Sequence, residues 1–186
     1  MKFEPLVKSK NNELYFISDE SKISLEKINY SNAADCVNLC VPNDNNVNAI
    51  YADWKDIELE QGLYNEELLA SLREYLKKLE ENKKFAFIVP VSQKEFNDAD
   101  CASEFIAAMV HLARRIKDCT SVLGFAIPAD FIKKDSLNGF DENSWTQWFI
   151  SEMAVKHSHY VYFAEKKAVN DANLFEKCLK TGLILY

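Results

Sequence analysis

VNAIYADWKDIELEQGLYNEELLASLREYLKKLEENKKFAFIVP, residues 47–90, reads as strand, structured loop, amphipathic helix and buried strand in unbroken order. Between Asn65 and Glu81 the apolar residues Leu68, Leu72, Tyr75, Leu76 and Leu79 recur at helical spacing, behind an acid-rich first turn of Glu66 and Glu67. KKFAFIVPV follows without a polar interruption, as expected of a strand covered on both faces and ending at Pro90. The order is that of a parallel β/α unit. Enzymes built from such units carry their chemistry at the carboxyl ends of the strands.

Downstream the pattern repeats. Asp98 or Asp100 caps a helix bearing Phe105, Met109, Leu112, Ala113 and Ile116, and SVLGFAIPAD is a third buried strand. A helix from about Glu142 to Lys156, the strand HYVYFAE, a helix from about Asn170 to Lys180 with Gly182 as its stop, and the terminal strand GLILY complete the chain. Upstream, ELYFIS (13–18) and KISLEKI (22–28) form a β-hairpin around a polar turn. ADCVNLCVP reads as a buried strand ending at Pro42, a sixth beside the five that start with VNAIYADW, joined to it by the polar PNDNN loop. We therefore expect one α/β domain over 1–186, with a β extension over 1–34 and a parallel β/α core over 35–186. Periodicity leaves open a reduced barrel or an open sheet covered on both faces.

Composition narrows the partners. The 186 residues carry a net charge of −7 with no basic face, which argues against a nucleic-acid partner. No segment approaches the roughly 18 apolar residues of a membrane span. Five cysteines, an odd number without a CxxC pair, fit small buried hydrophobes in a reducing, cytoplasmic setting, unless a signal peptide has been removed. Cys36 with Cys40 and His157 with His159 lack the further ligands of a metal site, and no nucleotide, phosphate, zinc-protease or esterase string occurs. Neither metal nor cofactor is expected. His111 reads as a surface or boundary residue of its helix.

The polar groups at the predicted strand ends are Asp53 and Trp54, Ser92 and Gln93, Asp130, and Glu165. Three carboxylates and an indole suit a sugar. Paired carboxylates act as acid and nucleophile at about 5–5.5 Å, or as acid and base at about 6.5–9.5 Å, and an indole face stacks on a pyranose.

Trp54, Ile57, Glu58, Gly62 and Tyr64 ahead of a helix resemble the second strand, loop and helix of the cellulase-type glycoside hydrolases of clan A. CTSVLGFAIPADF is similar to that family's fourth strand, with Gly124 and Phe125 matching and Asp130 in the place of the acid/base glutamate. The resemblance spans roughly residues 37–165 and implies a reduced or partial TIM-barrel-like fold, with an open, doubly wound flavodoxin-like sheet as the alternative. Several family positions differ: Asn48 and Ala49 stand where the second strand has a sugar-site arginine, and Val91 and Ser92 where the third ends near a histidine. Ala129 replaces an asparagine and cannot hydrogen-bond a sugar 2-hydroxyl. Aspartate at 130 falls short of glutamate by about 1 Å, which can cost on the order of 10²-fold in rate. The family's nucleophile strand, its seventh, has no counterpart among the predicted strands.

The resemblance thus implies a non-catalytic domain that binds carbohydrate or protein, with an active glycosidase using Asp130 as acid and Glu165 or Asp53 as second carboxylate as the other reading. The stripe Trp145, Trp148 and Phe149 reads as the core face of its helix. In a shortened barrel, apolar surface left uncovered would favour a homodimer.

Overall fold

The computed structural model describes residues 4–43, 46–138, 144–169 and 172–186. They fall into two compact units, Glu26–Val122 and the pair of segments Met1–Leu25 and Leu123–Tyr186. The chain opens with an antiparallel ribbon of β1 (Val7–Lys10), β2 (Glu13–Phe16) and β3 (Lys22–Ile23). The predicted hairpin is β2 and β3, and β1 precedes it. Asn11 and Asn12 turn the chain between β1 and β2 at φ of 53° and 62°, the left-handed pair that a two-residue hairpin turn requires. Asn12 Oδ1 accepts from Leu185 N at 2.6 Å, and Ser9 Oγ donates to Gly182 O at 3.0 Å. These bonds tie the ribbon to the last residues of the chain.

In the Glu26–Val122 unit, β4 (Ile28–Asn32) leads through a 3-10 helix, Ala33–Asn38, to β5 (Val47–Asp53). The strand expected over ADCVNLCVP is therefore this short helix, and the strand lies just before it. Ala33 and Cys36 are buried while Val37 is 66% exposed, an inward spacing of three that fits a 3-10 turn and not a pleat. Of the predicted PNDNN loop, Asp44 and Asn45 lie outside the described residues. After β5 come α1 (Trp54–Ile57), the hairpin of β6 (Glu58–Glu60) and β7 (Leu63–Tyr64), α2 (Glu66–Glu81), β8 (Phe85–Val91) and α3 (Ala99–Ile116).

Caps set the helix starts. Asn65 Oδ1 accepts from Leu68 N at 3.1 Å, and Asp98 Oδ1 accepts from Cys101 N at 2.8 Å. Leu69, Leu72, Tyr75, Leu76 and Leu79 of α2 and Phe105, Met109, Leu112 and Ile116 of α3 are all buried. The strand at 85–91 runs one residue past Pro90, which is itself buried within it. β4, β5 and β8 are parallel and lie in sequence order. A flavodoxin-like sheet would place its first strand between its second and third, whereas these three strands follow one another in order.

In the other unit β9 (Val122–Ala126) is followed by α4 (Ala129–Asn138), α5 (Trp145–His157), β10 (Val161–Ala164), a 3-10 turn at Lys166–Ala168, α6 (Ala172–Lys180) and β11 (Ile184–Leu185). The predicted helix starts at Glu142 and Asn170 lie outside the described residues. β9, β10 and β11 are again parallel and in sequence order. Buried Asp135 accepts from Trp145 N and Thr146 N at 2.9 and 2.8 Å, satisfying backbone donors that open α5. Of the stripe read as a core face, Phe149 is fully buried, whereas Trp145, edge-on to Phe131 at 5.2 Å, and Trp148 are half-buried. Among the described residues, no helix is long and apolar enough to cross a membrane.

Candidate functional site

Asp53, Trp54, Ser92 and Gln93 meet in one cavity of about 120 Å3 where β5 and β8 end. Parallel pairing of Asp53 with Val91 brings the two strand ends level, so the residues that follow each strand share a rim. Asp53 makes three contacts with two residues: it caps α1 by accepting from Lys55 N at 3.3 Å, accepts from Gln93 Nε2 at 2.9 Å, and lies 3.6 Å from Lys55 Nζ. Ser92 Oγ accepts from Lys94 N and donates to Lys94 O, both at 3.0 Å, fixing the backbone of that turn.

Trp54 lines the cavity but is only 5% exposed. Its ring meets Phe105 edge-on at 5.7 Å, and Lys94 Nζ lies 4.8 Å over it. It offers no open stacking face, contrary to what its position in the sequence suggests. The indole Nε1 donates to Glu58 Oε2 at 2.5 Å, and the other oxygen of Glu58 accepts from Gly62 N at 2.7 Å. Gly62, at φ 76°, makes the left-handed turn of the β6–β7 hairpin. The block of residues that carries the family resemblance is therefore a clasp: one carboxylate ties an indole to a hairpin turn.

Glu58→Gln is expected to lower stability by about 1–3 kcal/mol, because an amide can present an oxygen to only one of the two donors. Urea unfolding checks it; an unchanged midpoint would refute the clasp.

A second cavity, of about 320 Å3, lies at the same strand ends, lined by Asn32, Asp35, Tyr51, Asp53, Lys55 and Asp56 among others. Its volume reaches the lower end of the range, roughly 300–1,000 Å3, typical of small-molecule sites, whereas the first cavity falls short. Tyr51 stacks on Tyr30 at 6.2 Å, and Tyr30 is 55% exposed. Sequence reasoning missed Asn32, Asp35 and Tyr51. Tyr51 sits two residues before Asp53 on the same face of β5, which period-two alternation could have shown.

Beside the clasp, Tyr64 stacks on His111 at 3.7 Å, and Glu66 is 3.0 Å from His111 Nε2 and 2.5 Å from Arg115 Nη2. Arg115 holds the Glu66 carboxyl below its ordinary range. Burial lowers the His111 imidazole against the opposing pull of Glu66, and burial raises the Tyr64 phenol.

The remaining predicted residues have other settings. Asp130 was expected at a strand end, but β9 stops at Ala126 and Asp130 lies in the first turn of α4. There its carboxylate is 3.1 Å from Lys133 Nζ and 53% exposed. Pro128 makes the difference: its carbonyl accepts from Phe131 N and Ile132 N, opening the helix, and an acidic residue in the first turn suits the helix dipole. Glu165 follows β10 and precedes the 3-10 turn without making a side-chain cap. Among the described residues, no group of three or more His, Cys, Asp or Glu could hold a metal ion.

No family model and no curated protein match the sequence. Solved structures do match the fold. GH5_18 from Bifidobacterium longum subsp. longum superposes with a TM-score of 0.53 at 10% identity, covering 82% of this chain and 47% of that one. Its complex with Manb1-4GlcNAc gives 0.52 at 11%, covering 80% and 46%, and GH5_18 from Streptomyces cattleya with GlcNAc gives 0.51 at 11%, covering 71% and 39%. The chain is similar in fold to part of these glycoside hydrolases. At these identities the likeness is one of fold alone, and this chain spans about half the length or less of each of these hydrolases.

Proposed function

We propose that this chain is a glycoside-hydrolase-like domain that does not hydrolyse glycosides and binds carbohydrate at the carboxyl ends of β4, β5 and β8. The setting of Asp130 carries the first half. A glycosidic acid has to project into a cleft at hydrogen-bond reach of the leaving oxygen, whereas Asp130 is more than half exposed on a helix turn and engaged by Lys133. Ala129 beside it supplies no hydrogen bond to a sugar hydroxyl.

The larger strand-end cavity supports the second half. It sets Tyr51, which stacks on the exposed Tyr30 beside it, among carboxylate, amide and ammonium groups, the mixture that grips a sugar by its apolar face and its hydroxyls. GH5_18 structures have been solved with GlcNAc and Manb1-4GlcNAc, which makes these the first ligands to try. Five thiols, none of them in a disulfide, suit a reducing compartment for this activity.

Hydrolysis of an aryl-glycoside and oligosaccharide panel, run beside Asp130→Ala, is expected to show no turnover by either protein. Calorimetric titration with the same sugars is expected to show binding that weakens at least about tenfold in Asp53→Ala, through loss of a charge-assisted hydrogen bond. Turnover abolished by Asp130→Ala would instead establish a glycosidase with Asp130 as its acid.

A further inference from the structure

We propose that the smaller cavity beside Trp54 is a binding site for an alkylammonium group, and that the chain's own Lys94 occupies it as an internal stand-in. The ammonium of Lys94 already lies 4.8 Å over the indole, within the roughly 6 Å at which a cation is attracted to an aromatic face. The ring is held for this purpose. Phe105 meets it edge-on at 5.7 Å, and Nε1 donates to the Glu58 carboxylate, which pushes electron density into the indole and strengthens its attraction for a cation.

The surrounding charge points the same way. Asp53, Glu58, Glu60 and Glu104 line the cavity against Lys55 and Lys94, and Lys55 is turned toward Asp53. Glu104 accepts from Gln61 at 2.6 Å, while among the described residues no side-chain hydrogen bond or ion pair engages the Glu60 carboxylate. An incoming cation would meet a wall of net negative charge as soon as Lys94 leaves it.

Lys94 can leave without a backbone movement. Its main-chain N–H and carbonyl are both bonded to Ser92 Oγ, so the turn stays in place while the exposed side chain changes rotamer. The volume of about 120 Å3 suits an ammonium head and excludes a complete sugar ring. The ligand class is an alkylammonium, whether a quaternary head group or the protonated amine of an amino sugar. The cavity shares Asp53 and Lys55 with the sugar site proposed above, but Trp54, Glu58 and Lys94, on which this inference rests, line the smaller cavity and not the larger one.

The test titrates the full chain and Lys94→Met with tetramethylammonium, glucosamine and N-acetylglucosamine, reading heat and the indole N–H resonance of Trp54. Removing the internal competitor is expected to tighten both cations by between about twofold and about thirtyfold and to leave the neutral sugar unchanged. A preference for glucosamine over tetramethylammonium would identify the amino sugar as the source; the reverse would identify a quaternary head group. Lys78→Met, which removes an exposed charge on α2, controls for the net charge of −7. The proposal fails if no cation shifts the Trp54 resonance, if Lys78→Met gives the same gain, or if N-acetylglucosamine gains as much as the amines. Weak binding of N-acetylglucosamine that ignores Lys94→Met would bear on the sugar site alone.

Discussion

Gly124→Ala is expected to destabilise the protein by at least about 3 kcal/mol, the upper part of the range for overpacking a buried site. Gly124 lies in β9 opposite Val161 of β10, and a Cβ added there would fall 1.7 Å from the Val161 carbonyl oxygen and 2.7 Å from its carbon. Both obstacles are backbone, so no side-chain rotation relieves the clash. The strands would have to separate, and with them the pairing that continues through Ala126 and Phe163. For a chain of this size the change corresponds to a fall in Tm of roughly 6–12 °C. Calorimetry on the variant decides it; a melting temperature within about 2 °C of the parent would show that β9 and β10 tolerate a side chain between them. Gly124 lets two strands approach at this point.

Phe105→Ala is expected to cost about 3–5 kcal/mol, as truncating a fully buried phenylalanine generally does. Phe105 on α3 contacts the Trp54 ring at 5.7 Å and Phe96 at 5.0 Å, so the void would open directly behind the cavity that Trp54 lines. Loss of stability should come with a broadened or displaced Trp54 indole resonance. Exposed Leu63, on β7 of the hairpin, provides the contrast: Leu63→Ala should change stability by no more than about 0.5 kcal/mol. Similar urea midpoints for the two variants would contradict the packing described for Phe105.

Much of the fold was legible because its signals are local. The helix Glu66–Glu81 was readable from its acid-rich first turn and its 3.6-residue apolar spacing, and β8 from an unbroken apolar run. The 3-10 helix at Ala33–Asn38 was not, since six residues with two inward positions resemble a short strand as closely as a turn. Nor was β4. Its sequence, INYSN, is only partly buried, and it becomes a strand through pairing with residues 47–51.

The candidate site divides in the same way. The sequence placed Asp53, Trp54, Ser92 and Gln93 at the ends of two strands, and the structure brings these four into one cavity. It also offered Asp130 as an equivalent residue, overlooking that Pro128 followed by Ala-Asp is a helix start.

By itself, then, the sequence determined the succession of parallel β/α units, the helix caps and the polar strand ends, all of which depend on residues within a turn or a pleat of one another. Only the tertiary structure decided that Glu58 bridges an indole and a hairpin turn, that Lys94 lies over a tryptophan 40 positions earlier, and that Asp130 faces solvent beside Lys133. Those outcomes depend on which groups the packed chain brings within a few ångströms. Propensity acts along the chain, whereas the partners of a carboxylate or an ammonium are chosen across it.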